Sequence, residues 1–136
     1  MSKTTLKAKK IYEPVFFTNV WFLYGGDNKD LKEWYLKKKI TSDYDPKLQG
    51  YVELLDFTKK DGTVERSYII RVEENDFYTL AHECIHLVRH ILDDRGIPIR
   101  ADNDEVFAYY HGYWLKKLWR LTGKFKALKG KEIWEK

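Results

Sequence analysis

Residues 79–86 read TLAHECIH, and this stretch decides how the chain is organised. An α-helix turns by about 100° per residue, so His82 and His86 project from the same face, about one turn apart. Glu83 lies roughly 100° around the helix from His82, close to that face. Cys84 projects to the opposite side and is predicted to be a buried, unreactive thiol. The stretch therefore predicts a helix that presents two imidazoles and a neighbouring carboxylate.

Two imidazoles at this spacing can bind one Zn²⁺, and the glutamate between them can act as a general base. Catalytic zinc usually has three side-chain ligands and a water molecule, so a third ligand is expected. Glu105 is the preferred candidate because it opens a second helical pattern. Asp104 is the alternative, and the two point in different directions, so only one should face the metal. His90 lies about 12 Å along the helix axis from His82, and we assign it a structural or supporting role.

These residues predict a zinc-dependent hydrolase. The predicted metal ligands are His82, His86 and Glu105. Zinc would lower the pKa of its bound water toward about 7, and Glu83 would take the proton as the water attacks a polarised carbonyl. Tyr109 lies four residues beyond Glu105 and is the preferred donor to the oxyanion, and Tyr110 and His111 are neighbouring alternatives. All three of these side chains could instead be core or interface aromatics.

The pattern of His82, Glu83, His86 and Glu105 resembles that of the gluzincin metallopeptidases. Residues 103–108, NDEVFA, are similar to the helix that carries the third ligand in thermolysin-like enzymes and zinc aminopeptidases, with the spacing of the aminopeptidase branch. Asp104 departs from the family pattern by separating the asparagine from the glutamate, and no exopeptidase motif is present.

The resemblance covers residues 79–108 only, and the chain is too short for either of those large enzymes. It looks like a minimal zincin, similar to small bacterial and phage-encoded metallopeptidase-like proteins. The resemblance implies a peptidase that acts on peptide or protein substrates. It also implies an α+β fold: a minimal zincin-like domain in which a small, mostly antiparallel sheet packs on an active-site helix and a second ligand-bearing helix.

The periodicity of the sequence predicts where these elements lie. The predicted strands are residues 14–24, 51–57 and 63–72, the last two joined by a hairpin turn at 60–62. The predicted helices are 27–39, capped by Asp27 or Asn28, the motif helix to Asp94, capped by Asn75 or Asp76, and a third from Asp102 to Gly123.

Two details of this arrangement bear on function. Residues 65–72 precede the motif helix, the place of an edge strand that pairs with an extended peptide substrate in zincins generally. Ala108 and Gly112 are small, which predicts close packing of the last helix against the motif helix.

Length and composition limit the class of protein. The chain has 136 residues, enough for one domain with a hydrophobic core. It is 43% hydrophobic and 34% charged, as packed globular proteins with a solvated surface are. A single cysteine allows no internal disulfide, and neither a membrane-spanning run nor a signal peptide is evident. We therefore expect a protein of the reducing cytoplasm of a bacterium or an infected host cell, with no membrane partner.

Charge is unevenly distributed along the chain. Residues 1–10 carry +4 and residues 116–136 carry +6, so residues 11–115 carry −6 within a net charge of +4. The predicted organisation is a basic N-terminal extension (1–10), a metallopeptidase domain (11–123) and a basic C-terminal segment (124–136). The basic ends can bind nucleic acid or an acidic partner, or be solvated tails.

Alternatives to a hydrolase therefore remain open. One is a catalytically inactive zincin fold or a nucleic-acid-associated binding protein in which the basic ends act. Another is a scaffold protein of phage origin.

Overall fold

The structure, a computed structural model of the chain, describes residues 6–40, 50–73 and 76–127, with side chains as far as residue 123. The strands are β1 (Lys7–Glu13), β2 (Thr18–Tyr24), β3 (Gly50–Thr58) and β4 (Val64–Val72), and the helices are α1 (Asn28–Lys38), α2 (Phe77–Asp94) and α3 (Asp104–Ala127). The chain divides into two compact units, the sheet unit (1–74) and the helical unit (75–136). The predicted α+β class is confirmed.

The four strands form one sheet in the order β1-β2-β4-β3. β1–β2 and β3–β4 are antiparallel, and β2–β4 is parallel with Phe22 opposite Ile70, so the sheet is mostly antiparallel as predicted. The prediction that residues 65–72 form an edge strand is wrong, because β4 is hydrogen-bonded to a neighbour on each side. Its run of buried residues from Ser67 to Val72 is typical of a central strand. β4 therefore has no free edge for a peptide.

The sheet begins earlier than the charge pattern suggests. Lys7 to Lys10, which that pattern places in the basic extension, are the first residues of β1. The apolar run 14–24 is divided, because residues 14–17 form a turn and β2 starts at Thr18. Glu13 is buried at the end of β1, and its carboxylate accepts hydrogen bonds from the backbone N–H groups of Val15 and Phe16. The turn is therefore stabilised by a charged side chain.

Helix α1 forms where predicted. Asp27 is the N-cap, and a capping box links it reciprocally to Asp30; Lys39 ends the helix in the left-handed conformation. One side of α1 packs on the sheet. The core residues there are Leu23, Leu31, Tyr35, Tyr51, Phe57 and Ile69.

Three buried side chains of the sheet unit, Tyr35, Tyr51 and Arg71, take part in hydrogen bonds. The hydroxyl of Tyr35 donates to Glu53 Oε1 (2.7 Å) and therefore accepts from the hydroxyl of Tyr51 (2.8 Å). Burial raises the pKa of Tyr35, and its neighbours Tyr51 and Glu53 raise it further. Arg71 donates to the carbonyl oxygens of residues 25 and 26 (3.0 and 3.2 Å), two glycines whose positive φ angles (75° and 73°) suit a tight turn after β2.

The helical unit contains the motif helix at the predicted bounds. Asp76 is the N-cap of α2, and its side chain accepts from Thr79 N (2.9 Å). Gly96, with φ of 73°, follows the last turn, as a helix stop should. Asn75, the other predicted cap, lies outside the described residues. The apolar side of α2 is buried at Leu80, Cys84, Leu87, Val88, Ile91 and Leu92.

Helix α3 differs from the prediction at both ends. It starts at Asp104, and the predicted cap Asp102 instead accepts from Arg100 Nε (3.2 Å). It also continues past Gly123 to Ala127, because a single glycine costs a helix only about 1 kcal/mol. Residues 1–5 and 128–136, parts of the two predicted basic ends, lie outside the described residues.

The side of α3 that is buried is also different. Tyr110, Trp114 and Leu118 are buried, and α3 packs against α2. Ala108 and Gly112 are exposed, and a Cβ added at Gly112 would meet open space, so the predicted close packing through these two residues is wrong. In the part of the chain that the structure describes, no helix combines the length and hydropathy needed to span a bilayer.

Candidate functional site

Helix α2 brings the two motif histidines together. His82 Nε2 and His86 Nε2 lie 3.3 Å apart, and the ring centroids are 4.9 Å apart with the planes at 70°. Both side chains are exposed. The four-residue step along one helix places them on the same face, as the sequence predicts.

The separation of the two nitrogens can be compared with that of zinc ligands. Two nitrogens bound tetrahedrally at about 2.0–2.1 Å from one Zn²⁺ lie about 3.3–3.4 Å apart. A direct N–H···N hydrogen bond is also compatible with 3.3 Å when one Nε2 carries a proton. The pair therefore has the spacing of two ligands of one metal ion, and the backbone of α2 would not have to move to reach it.

Glu83 is the most unusual charged residue of the helical unit. Its side chain is 8% exposed, and among the residues that the structure describes no hydrogen bond or ion pair engages its carboxylate. Burial raises the pKa of Glu83, while the nearby charges of His86 and His82 act in the opposite direction. Burial therefore disfavours the charged form of this carboxyl, as it often does at chemical sites.

The predicted third ligand is not grouped with the pair. Within residues 6–40, 50–73 and 76–127, no three His, Cys, Asp or Glu side chains are arranged so that they could hold a metal ion. Glu105 lies in the first turn of α3 with an exposed side chain, and the alternative Asp104 beside it is exposed as well. The structure thus brings together two of the three predicted ligands, and the ligand role of Glu105 stays a prediction.

The predicted oxyanion donors lie in different surroundings. Tyr109 is 76% exposed on α3, whereas Tyr110 is buried. His111 Nε2 lies 3.4 Å from the carbonyl oxygen of Ala81, which can only accept, so this nitrogen is the donor and links α3 to α2. The oxyanion role of Tyr109 therefore stays a prediction.

A tyrosine outside the predicted site, Tyr78, also lies near the pair. The ring of Tyr78 is 6.3 Å from that of His82, and its side chain is 78% exposed. Tyr78 is four residues before His82, so the same helical step that groups the histidines would have identified it.

A cavity of about 350 Å³ adjoins the pair. Its lining residues are His86, Arg89, His90, Asp93 and residues 97–99. It combines a guanidinium, two imidazoles and a carboxylate on α2 with an apolar wall from the Ile-Pro-Ile segment that follows the helix. Its volume is within the range of small-molecule or peptide side-chain pockets. His90, assigned a structural or supporting role from sequence, therefore faces a cavity next to His86.

The single cysteine lies on the opposite side of α2, as predicted. Cys84 is fully buried, and this burial raises the pKa of its thiol to about 12. A thiol that stays protonated at neutral pH is a poor nucleophile and a poor metal ligand.

Comparisons of this chain with protein-family models, with curated proteins and with solved structures found no match. The assignment of a function therefore depends on the chemistry of the residues described above.

Proposed function

We propose that this chain is a zinc-dependent hydrolase, specifically a peptidase, with its reaction centre on the exposed side of α2. His82, His86 and Glu105 would hold the metal, and Glu83 would move the proton. The observation that carries the proposal is the 3.3 Å separation of the two Nε2 atoms. Glu83, the next residue after His82, is buried and has no hydrogen bond or ion pair among the described residues.

The histidine pair supports metal binding because the separation of its Nε2 atoms equals that of two tetrahedral ligands of one zinc ion. Glu105 is proposed as the third ligand because its carboxylate is exposed and has no hydrogen bond or ion pair among the described residues. A carboxylate that already served a structural ion pair would have to lose that pair in order to bind a metal.

When bound, Zn²⁺ would supply Lewis-acid chemistry, polarising a substrate carbonyl and acidifying a water molecule toward a pKa of about 7. Glu83 would accept a proton from the attacking water and would then deliver it to the leaving amine. A carboxyl whose pKa is raised by burial is better suited to give that proton back than an ordinary exposed glutamate. A tyrosine hydroxyl, Tyr109 as predicted or Tyr78 beside His82, would donate to the oxyanion.

The cavity beside His86 favours an extended peptide as substrate. Its lining runs along α2 from His86 to Asp93, seven residues or about 10 Å of helix rise. An extended chain covers about 3.3 Å per residue, so the cavity can take about three residues on one side of the cleaved bond. Because β4 has no free edge, the preference for a peptide substrate now depends on this cavity. We place the activity in reducing cytoplasm, where one buried cysteine is unremarkable.

Zinc binding is the first test. Elemental analysis and competition with a zinc-sensitive dye should give one zinc per chain, and His82→Ala or His86→Ala should weaken binding by more than about 100-fold, beyond what is usual for residues that only support ligands. Glu105→Ala should weaken it comparably, while Asp104→Ala, on the same turn, is the matched control. Unchanged zinc binding in both histidine variants would refute the metal site.

Peptide cleavage is the second test, measured by mass spectrometry on a degenerate peptide mixture with zinc present. Glu83→Gln should reduce the rate by about 10²–10⁴-fold while leaving zinc bound. Cleavage that continues at the wild-type rate in Glu83→Gln would exclude this base.

A further inference from the structure

Helix α3 presents a stripe of aromatic and basic side chains to solvent. The exposed members are Tyr109, Tyr113, Lys116, Lys117 and Arg120, called here the basic-aromatic face. They follow one another at steps of four, three, one and three residues, so at about 100° per residue they occupy a sector of about 100°. From Tyr109 to Arg120 the stripe is about 16 Å long.

The charge of this helix is polarised along its length. Acidic residues occur only in the first turn, at Asp104 and Glu105, and residues 106–127 contain five Lys or Arg and no acid. No ion pair is formed by Lys116, Lys117 or Arg120 with any residue that the structure describes. Elsewhere lysines do find acids, as Lys10 does with Glu65 (2.6 Å). An anionic partner of these three cations would therefore break no ion pair within the described part of the chain.

The rings of Tyr109 and Tyr113 differ in exposure, and neighbouring side chains orient the ring of Tyr113. Tyr109 is almost free in solvent, while Tyr113 is 41% exposed. The ring of Tyr113 lies parallel to that of Tyr110 (centroids 6.3 Å, 4°) and edge-on to Trp114 (5.5 Å), and Lys117 Nζ lies 5.8 Å from its centroid. Gly112, beside them, leaves open space. A planar ligand can therefore approach a ring that is already oriented.

We propose that the basic-aromatic face binds single-stranded nucleic acid. Lys116, Lys117 and Arg120 pair with phosphates, and bases stack on Tyr109 and Tyr113. Cations along one stripe interleaved with exposed rings are the features that such binding uses, because every base has a flat face while the backbone carries regular negative charge. A duplex keeps its bases stacked on one another and makes no use of the rings. This inference shares Tyr109 with the proposed hydrolase but requires neither metal binding nor Glu83.

Fluorescence anisotropy with the full chain and a labelled oligothymidylate of about 12 nucleotides tests the cations, since single-strand sites commonly span about 4–16 nucleotides. The logarithm of the affinity should fall with the logarithm of salt concentration with a slope of about −2 or steeper, from about −0.7 per phosphate contact. Lys116→Gln, Lys117→Gln and Arg120→Gln should each reduce the slope by about 0.7. Lys60→Gln, an exposed lysine of the sheet unit, should leave it unchanged.

The rings are tested separately. Tyr109→Leu and Tyr113→Leu should weaken binding about tenfold, whereas Tyr109→Phe keeps the ring and should bind normally. Tyr12→Leu, an exposed tyrosine on β1, is the matched control. Tyr109 is exposed, so its substitution leaves folding intact even if that of Tyr113 does not. Equal affinity for duplex DNA of the same length, displacement by polyglutamate as effective as by oligothymidylate, or unchanged binding in Tyr109→Leu would overturn the proposal.

Discussion

Two buried glutamates, one in each unit, differ in what their carboxylates contact. Glu13 in the sheet unit is 2% exposed and accepts hydrogen bonds from the backbone N–H groups of Val15 and Phe16. Glu83 in the helical unit is nearly as buried, yet no hydrogen bond or ion pair satisfies it among the described residues. Burial alone thus does not distinguish a structural carboxylate from a chemical one.

The partners of each carboxylate make the distinction. A carboxylate that accepts two N–H groups is part of the folded backbone, and its loss leaves donors unsatisfied. Glu83 has no hydrogen bond or ion pair among the described residues that a substitution would break, so its burial does not mark it as structural. The same contrast separates Tyr35, whose hydroxyl is bonded to Tyr51 and Glu53, from Tyr109, which is exposed and has no hydrogen bond among the described residues.

The sharpest test of this comparison is the same substitution at both sites. Glu13→Gln should lower the free energy of unfolding by about 2 kcal/mol, because it removes the charge from two hydrogen bonds and turns an amide N–H toward a backbone donor. Glu83→Gln should change it by no more than about 1 kcal/mol, in the stabilising direction, because no bond is lost and a desolvated charge is removed.

Urea denaturation of both variants, with chelator present to remove metal, measures the difference. Equal destabilisation by the two variants would mean that Glu83 is structural, and the comparison would fail.

Alkaline pH tests the polar network of the sheet unit. The pKa of Tyr35 is raised in the folded state, so the unfolded chain loses this proton first, near its ordinary pKa of about 10. The contribution of Tyr35 to stability is therefore fully present below about pH 10 and is lost as pH rises further, by up to about 1.4 kcal/mol per pH unit. Tyr35→Phe should show a correspondingly shallower decline.

The measurement is the free energy of unfolding between neutral pH and about pH 11, around the ordinary tyrosine pKa. Tyr12→Phe, whose ring is largely exposed, is the control and should decline as the wild type does. A decline in Tyr35→Phe as steep as in the wild type would assign the alkaline sensitivity to other groups.

The smallest effect concerns two glycines of the helical unit. Gly112→Ala should stabilise the protein by about 0.5–1 kcal/mol, because alanine favours the helix and its Cβ would meet open space. Gly96→Ala should destabilise it by about 1 kcal/mol, because Gly96 has a positive φ of 73°. Thermal unfolding of both variants provides the comparison. If Gly112→Ala were destabilising, the exposed side of α3 would be a packing surface and could not serve as a free binding face.

Local features were predictable from the sequence to within a few residues. The bounds of α1 and α2 follow from capping residues and periodicity, and the pairing of His82 with His86 follows from the pitch of a helix. The end of α3 was less predictable, because helix boundaries depend on small local differences: Asp102 pairs with Arg100 instead of capping the helix.

Features that join distant parts of the chain were not predictable in this way. The position of β4 in the middle of the sheet depends on its pairing with β2, which lies more than 40 residues earlier. The residue pattern of β4 does not indicate that β2 is its neighbour. The continuous burial of its last six residues is consistent with a central position in the sheet. Whether Glu105 can meet the histidines likewise depends on how α3 approaches α2, and small residues on α3 were a misleading guide, since Gly112 is exposed.

The sequence by itself determined the helix of the motif, its caps and the shared face of its two imidazoles, because a hydrogen-bonded helix relates residues four apart with a fixed geometry. Only the tertiary structure decided which strand is central, which buried glutamate has no hydrogen bond among the described residues and which side of α3 remains in solvent. These three features depend on contacts between residues far apart in the chain. Many arrangements of such contacts satisfy the same local sequence pattern, and the packing of the whole unit selects one of them.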